Sequence, residues 1–151
     1  MKAHEIMKTP VIKVEENETL RAVVKKFIQN GISGLPIVNE NDEMVGYISD
    51  GDIMRYIGKH KNIFYDSFFF FGAMKGDHEG FEQRAKRVID LNVMVIAKEN
   101  VITTNWDTDV EDIAALLGEK QIKKLPVERD GKIVGIVSRG DVIRRSFESI
   151  L

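Results

Sequence analysis

The sequence predicts an α+β fold in which two β-α-β-β-α repeats pack around a pseudo-twofold axis, with a helical insertion between them. The segment that starts at Val11 recurs from Val101. In each copy the spacing of apolar residues alternates between short strand-like runs and the 3.6-residue period of a helix. One copy alone is marginal as an independent domain, so we expect the two copies to share their buried surfaces.

The two copies of the repeat are aligned by prolines and glycines at matching positions. Val11 to Arg55 aligns with Val101 to Arg145, and the prolines Pro36 and Pro126 are 90 positions apart. The glycines that follow them are 89 positions apart, so one residue is missing from the intervening turn of the second copy. Turns tolerate such length changes best.

Each copy is predicted to begin with a short apolar strand, over Val11–Val14 and over Val101–Thr104. An amphipathic helix follows, since apolar residues recur at i, i+3, i+4 and i+7 after candidate N-caps. These apolar residues are Leu20, Val23, Val24, Phe27 and Ile28 in the first copy and Val110, Ile113, Ala114 and Leu117 in the second, and the candidate caps are Asn17, Thr19, Asp107 and Thr108.

The second part of each copy is predicted to be a hairpin followed by a helix. The first hairpin strand starts at Leu35-Pro36 or Leu125-Pro126, and Asp130-Gly131 is a typical two-residue hairpin turn. The second strand ends in Gly-x-x-Ser, and the last helix begins near Asp52 or Asp141.

The chain is expected to divide into a first repeat (1–58), an insertion that is mainly helical (59–92) and a second repeat (93–151). Within the insertion, GDHEG (76–80) is a predicted turn and 82–93 a predicted helix. The aromatic run Phe68–Phe71 is interpreted as packing against the module or a second subunit, because an uncovered apolar run would favour aggregation. Docking to a membrane or a partner protein is the alternative.

Composition excludes several classes of function. The 151 residues carry a net charge of −2, which argues against a broad nucleic-acid footprint, and contain no cysteine for disulfides, thiolate metal sites or nucleophiles. MKAHEIMKTP lacks the apolar core of a signal peptide, and no apolar run is long enough to span a membrane, so a cytoplasmic chain is expected. His4, His60 and His78 lack metal-ligand spacing, and no catalytic constellation is found, so neither a metal site nor an enzyme is expected.

The strand-to-helix junction of each copy carries the sharpest motif. Ser49 precedes Asp52 by three residues, and Ser138 precedes Asp141 in the same way. A serine there can contact a phosphate near free backbone N–H groups, and a carboxylate can accept the hydroxyls of a ribose. Both residue types are also good helix caps, and the motif alone leaves the two roles open.

The two copies differ in the residues just before their prolines. Ser33 and Gly34 would allow a flat base to approach the backbone, whereas Lys123 and Lys124 suit phosphates. Arg139 replaces an aspartate of the first copy, so two sites, if both exist, should differ in phosphate affinity.

Taken together, the duplicated unit and the motifs around Leu-Pro and Gly-x-x-Ser-x-x-Asp resemble a tandem CBS-domain protein (a Bateman module) of the stand-alone bacterial type. The resemblance covers nearly the whole chain except roughly 57–92. It implies a regulatory ligand that contains adenosine, such as AMP, ADP, ATP or S-adenosylmethionine, in clefts between the halves, and no catalytic cofactor.

The same resemblance implies roles for individual residues. Asp52 and Asp141 would bind ribose, and Ser49 and Ser138 would lie on the phosphate side. Ile12 and Ile102 would meet the adenine. Lys123 and Lys124 would join Asp52 in one cleft, and Lys8 and Arg139 would join Asp141 in the other. The complete candidate set is Lys8, Ile12, Ser33, Gly34, Pro36, Ser49, Asp52, Ile102, Lys123, Lys124, Ser138, Arg139 and Asp141.

The expected function is therefore an adenine-nucleotide sensor that signals to an unknown effector protein. A homodimer is expected through the helices after the two aspartates, with intramolecular packing of the same faces as the alternative. Two other hypotheses remain: a structural dimerisation module with degenerate pockets, and, less favoured, a protein that binds nucleic acid. The apolar residues of those helix faces are Ile53, Tyr56, Ile57, Ile143, Phe147 and Ile150.

Overall fold

A computed structural model describes residues 1–59 and 80–151 of the chain. The aromatic run Phe68–Phe71 and most of the predicted GDHEG turn lie outside the described residues. The elements, in chain order, are α1 (Ala3–Ile6), β1 (Val14–Glu15), α2 (Leu20–Asn30), β2 (Gly34–Val38), β3 (Met44–Ser49), α3 (Asp50–Ile57), α4 (Phe81–Val88), α5 (Val93–Ile96), β4 (Thr104–Asn105), α6 (Val110–Lys120), β5 (Lys124–Arg129), β6 (Lys132–Ser138) and α7 (Arg139–Phe147).

The α+β prediction and the duplicated unit are confirmed. Two three-stranded sheets have the orders β1-β2-β3 and β4-β5-β6, each with a parallel first pair and an antiparallel hairpin. Both hairpins carry a register shift at the same place, after Ile37 and after Val127. The turn between β5 and β6 has positive φ at Asp130 and Gly131, which is the geometry predicted for that pair.

The predicted first strands were wrong in their bounds. Pairing with the neighbouring strand begins only at Val14, opposite Ile37, and at Thr104, opposite Val127. Residues 11–13 and 101–103 therefore precede the sheets.

The predicted helix over 82–93 was also too long. It ends at Val88, because the backbone carbonyls of Ile89 and Leu91 accept hydrogen bonds from the amides of Arg21 and Leu20 at 2.9 Å. Those are amides of the first turn of α2, which would otherwise have no intrahelical partner.

The apolar faces of α2 and α6 are narrower than predicted. Leu20 and Val23 are buried, but Ile28 is 77% exposed, since it lies about 80° around the helix from Leu20. In α6, Ile113 and Leu117 are buried and Ala114 is exposed.

Each hydrophobic core is completed by a segment that precedes the other repeat. We call residues 2–8 the first arm and residues 92–98 the second arm. Ala3 and Ile6 of the first arm lie in the core of the second repeat, with Ile113 and Val137. The second arm contributes in turn to the core of the first repeat, beside Leu35 and Ile48, through Val93 and Ile96.

Backbone pairing fixes each arm on the last strand of the sheet it covers. The amide of Lys8 donates to the carbonyl of Ile136 at 2.8 Å, and Lys98 and Tyr47 exchange two hydrogen bonds of 2.9 Å. The first arm lies close on a glycine: a Cβ at Gly135 would lie 2.7 Å from Cγ of Met7. The crossed arms thereby tie the two repeats together.

Candidate functional site

The serine–aspartate pair of each repeat forms a capping box at a strand-to-helix junction. The backbone amide and hydroxyl of Ser49 donate to Oδ2 of Asp52 at 3.0 and 2.9 Å. Ser138 donates in the same way to Oδ2 of Asp141 at 2.9 and 2.7 Å. The aspartates are 2% and 6% exposed, so each carboxylate has a fixed orientation. The capping role left open by the sequence is therefore real.

Capping occupies only one oxygen of each carboxylate. Oδ1 of Asp52 contacts the guanidinium of Arg55 and lies 3.8 Å from Nζ of Lys98. Oδ1 of Asp141 receives Arg144 at 2.8 Å and lies 3.7 Å from Nζ of Lys8. These four cations are solvent-exposed, with side chains between 63% and 70% accessible, whereas the carboxylates they cover are 1% and 7% accessible, so a ligand reaches Oδ1 when these cationic side chains move aside.

The environment of Asp141 lowers the pKa of its carboxyl group. Burial acts in the opposite direction and raises it, but hydrogen bonds from the hydroxyl and amide of Ser138, a hydrogen bond from Arg144 and the charge of Lys8 together outweigh burial. The carboxylate is consequently ionised at neutral pH and available as a hydrogen-bond acceptor.

Asp52 lies in the wall of a cleft of about 460 Å³ that both repeats line, which we call the Asp52 cleft. Ser33, Gly34 and Ser49 come from the first repeat. The facing wall is formed by the second arm and the second repeat, including Lys98, Ile102, Lys123 and Lys124. One wall thus offers the carboxylates of Asp50 and Asp52, and the other offers three ammonium groups and the apolar side chains of Val101, Ile102 and Ile122.

A tyrosine occupies the space beside Gly34. A Cβ on Gly34 would lie 2.6 Å from the hydroxyl oxygen of Tyr47 and 3.0 Å from its ring. The sequence predicted that a ligand base approaches the backbone here. In the structure the ring that lies against Gly34 is the side chain of Tyr47. Burial, followed by the charges of Asp50 and Asp52, raises the pKa of Tyr47 to about 12, so the phenol stays protonated and can donate a hydrogen bond into the cleft.

Seven of the predicted site residues line the Asp52 cleft: Ser33, Gly34, Ser49, Asp52, Ile102, Lys123 and Lys124. Lys8 and Ser138 lie instead at Asp141. Arg139 is exposed at the start of α7, where its amide donates to the carbonyl of Lys123 at 3.1 Å.

Two predicted residues lie elsewhere. Pro36 is buried within β2, opposite Tyr47, and is absent from the lining of the Asp52 cleft. Ile12 packs partly against the first core and borders a separate concavity of about 680 Å³. That larger concavity is lined by Lys13, Asp42 and neighbouring polar side chains and contains neither capping aspartate.

Six lining residues lie outside the predicted site set: Tyr47, Asp50, Lys98, Asn100, Val101 and Ile122. A signal for Lys98 was present, because it follows Lys8 by the same 90 positions that separate the two copies. No comparable signal marks Tyr47, whose counterpart in the second copy is Ile136.

Comparisons with known proteins agree with this architecture. The family model for the CBS domain matches residues 3–59 and 93–148. An uncharacterized protein of Methanocaldococcus jannaschii, MJ1426, is 34% identical over 149 residues, covering 92% of this chain and 87% of that protein.

Two solved structures are similar over almost the whole chain. The CBS domain of a CBS domain containing membrane protein from Sphaerobacter thermophilus has a TM-score of 0.72 at 28% identity, covering 95% of this chain and 86% of that one. The CBS domain pair of protein MJ0100, solved in complex with 5′-methylthioadenosine and S-adenosyl-L-methionine, has a TM-score of 0.71 at 25% identity, covering 100% and 98%. Within residues 1–59 and 80–151, no helix has the length and apolar character needed to cross a membrane.

Proposed function

The chain belongs to the CBS-domain family, and from that premise we propose that it is a regulatory module that binds an adenosine-containing ligand in the Asp52 cleft. The candidate ligands are AMP, ADP, ATP and S-adenosylmethionine. The proposed role is sensing rather than catalysis, with the ligand-induced change read by an effector protein.

The observation that carries the proposal is the division of roles between the two oxygens of Asp52. Oδ2 is held by Ser49, whereas Oδ1 is contacted only by exposed cations at the edge of a cleft, among the described residues. A ribose can donate its hydroxyls to such an oxygen without disturbing the cap. Ile102 on the facing wall supplies apolar surface for a base, and Lys123 and Lys124 supply charge for phosphates.

The family relationship supports an adenosine ligand in particular. The MJ0100 domain pair is 25% identical to this chain, and both ligands with which it was solved, 5′-methylthioadenosine and S-adenosyl-L-methionine, contain adenosine. An adenosine would place its ribose at Asp52 and Ser49 and its base at the apolar wall here, whatever substituent the ribose carries.

Binding between two repeats gives the ligand a means to act at a distance. Residues from both repeats and from the second arm line the Asp52 cleft, so a bound ligand favours one relative placement of these segments. An effector that binds the ligand-favoured placement more tightly than the alternative placement is thermodynamically coupled to the ligand. We propose that the module works in the cytoplasm, where nucleotide levels vary with metabolic state.

We further propose that the module forms a homodimer through α7. Three apolar side chains on α7 and just after it are exposed and form an apolar strip. The exposed fractions are 57% for Ile143, 49% for Phe147 and 72% for Ile150. By contrast, Ile53 is buried, and Tyr56 and Ile57 pack against the first core. This apolar face of α3 therefore packs within the chain, which is the alternative to a dimer contact.

Isothermal titration of nucleotide-stripped protein with AMP, ADP, ATP and S-adenosylmethionine tests the proposal. We expect saturable binding of at least one ligand, and we expect Asp52→Asn to weaken it by about tenfold, the loss typical of a hydrogen bond to a charged group. Asp90→Asn is the matched control, because Asp90 is an exposed carboxylate paired with Arg21 outside the cleft. A folded protein that binds none of the four ligands would refute the proposed sensing role.

The exposed strip on α7 also favours a second function, a structural dimerisation module with degenerate pockets. That function predicts a dimer whose stability and shape do not change with any adenosine ligand. Sedimentation of the protein with and without the ligands distinguishes it from a sensor.

A further inference from the structure

We propose that Lys98 makes the Asp52 cleft, and Lys8 the equivalent position at Asp141, selective for adenosine ligands that carry a phosphate, over ligands whose substituent is uncharged or cationic. This inference rests on the proposed function and concerns which member of the ligand class binds. It assigns a specificity role to the lysine of each arm.

The lysines occupy equivalent, fixed positions in the two halves of the molecule. Lys98 exchanges two backbone hydrogen bonds of 2.9 Å with Tyr47, and Lys8 exchanges bonds of 2.8 and 3.2 Å with Ile136. Their side chains end 3.8 and 3.7 Å from Oδ1 of Asp52 and Asp141. Each lysine therefore lies beside the carboxylate oxygen that we assign to the ribose.

Arg55 already compensates the charge of Asp52. Its guanidinium contacts the same Oδ1 from one turn further along α3. An additional lysine contributes little to neutralising the carboxylate, and its side chain is 63% exposed toward the solvent side of the site. The ammonium group is consequently free to serve a ligand as well as the protein.

The charge balance of the Asp52 cleft favours an anion. Among the described residues, Lys98, Lys123 and Lys124 line it together with the carboxylates of Asp50 and Asp52, and Arg55 adds a further cation at the rim. The cationic groups therefore outnumber the anionic ones. A phosphate on the sugar meets complementary charge there, whereas a sulfonium meets like charge, which is unfavourable.

A purely mechanical role for Lys98 predicts different behaviour. If the side chain only held the second arm against α3, its loss would loosen the cleft for every adenosine ligand alike. Phosphate selectivity and mechanical support can therefore be separated by comparing ligands that differ only in the phosphate.

The test is the affinity of AMP, adenosine and S-adenosylmethionine for the wild-type chain, Lys98→Met, Lys8→Met and the double variant, measured by titration calorimetry. We expect Lys98→Met to weaken AMP at the Asp52 cleft by about tenfold while leaving adenosine within about twofold. Lys8→Met should act in the same way at Asp141, and the double variant should show a weaker preference for AMP at both positions, since Lys123 and Lys124 remain in the Asp52 cleft. Lys86→Met is the control for net charge, since Lys86 is exposed and pairs with Glu82 on α4.

The outcomes separate the inference from the function it rests on. Equal losses for AMP and adenosine in Lys98→Met would overturn the selectivity and assign Lys98 a mechanical role. S-adenosylmethionine binding to the wild type as tightly as AMP would also overturn it, while leaving adenosine sensing intact. Failure of all three ligands to bind the wild type would instead refute the proposed function itself.

Discussion

At the scale of single residues, one carboxylate serves two purposes through its two oxygens. The sequence motif permitted either a helix cap or a ligand contact at Asp52 and Asp141. Among the residues that the structure describes, Oδ2 of each aspartate caps a helix, and Oδ1 contacts one exposed arginine and one exposed lysine. Sequence reasoning could not separate these roles, because residue type alone does not reveal how a carboxylate is oriented.

The lowered pKa of Asp141 predicts a pH dependence of stability. Its charged form is the one stabilised in the folded state, so its contribution is complete above the ordinary aspartate pKa of about 3.9 and is lost as the pH falls through the lower folded value. Asp141→Asn should reduce the free energy of unfolding by about 1 kcal/mol at neutral pH. The deficit should shrink below about pH 4.

Urea denaturation of the wild type and Asp141→Asn across this pH range checks the prediction. Asp90→Asn provides a control in which an exposed carboxylate is lost. A deficit for Asp141→Asn that stays constant down to about pH 2 would contradict the assigned role of the charge.

At the scale of elements, the repeat was predictable from the residues, whereas the place of the first arm at Asp141 was expected only through the resemblance. Periodicity gave α2 and α6, and Asp130-Gly131 gave the β5–β6 turn, because both depend on local sequence. The arms have only a few residues, and their apolar side chains carry no mark of which core they enter. The exchange depends on non-local pairing, such as Lys8 with Ile136, which a single sequence does not encode visibly.

Gly135→Ala tests the packing of the first arm on β6. The new Cβ would lie 2.7 Å from Cγ and 2.9 Å from Cβ of Met7, so the arm must move away from the strand. We expect the free energy of unfolding to fall by about 1–3 kcal/mol, as for other overpacked sites.

A double-mutant cycle identifies the cause of that loss. Met7→Ala removes most of the obstructing side chain, so Met7→Ala/Gly135→Ala should be more stable than the sum of the single effects predicts. Strict additivity in denaturant unfolding would show that the arm does not lie on Gly135 as described.

At the scale of the whole molecule, the exchanged arms place a lysine from each arm at the aspartate of the other repeat. The same crossing completes both hydrophobic cores. Lys123 and Lys124 line the same cleft as Asp52, which is the juxtaposition that the resemblance implies. The resemblance also marks Lys98 as the counterpart of Lys8, at a position where relatives hold ligand, but the contact of Lys98 with Asp52 depends on the crossing of the second arm.

The central claim is that an adenosine ligand sits in the Asp52 cleft between the repeats. An amide-resolved NMR titration of the isotopically labelled protein with AMP tests it most directly. We predict the largest shift changes at Gly34, Asp50, Lys98 and Lys124, with an equivalent set around Asp141 if the second position is filled. Changes confined to the larger concavity near Lys13, with an unperturbed Asp52 cleft, would contradict the claim.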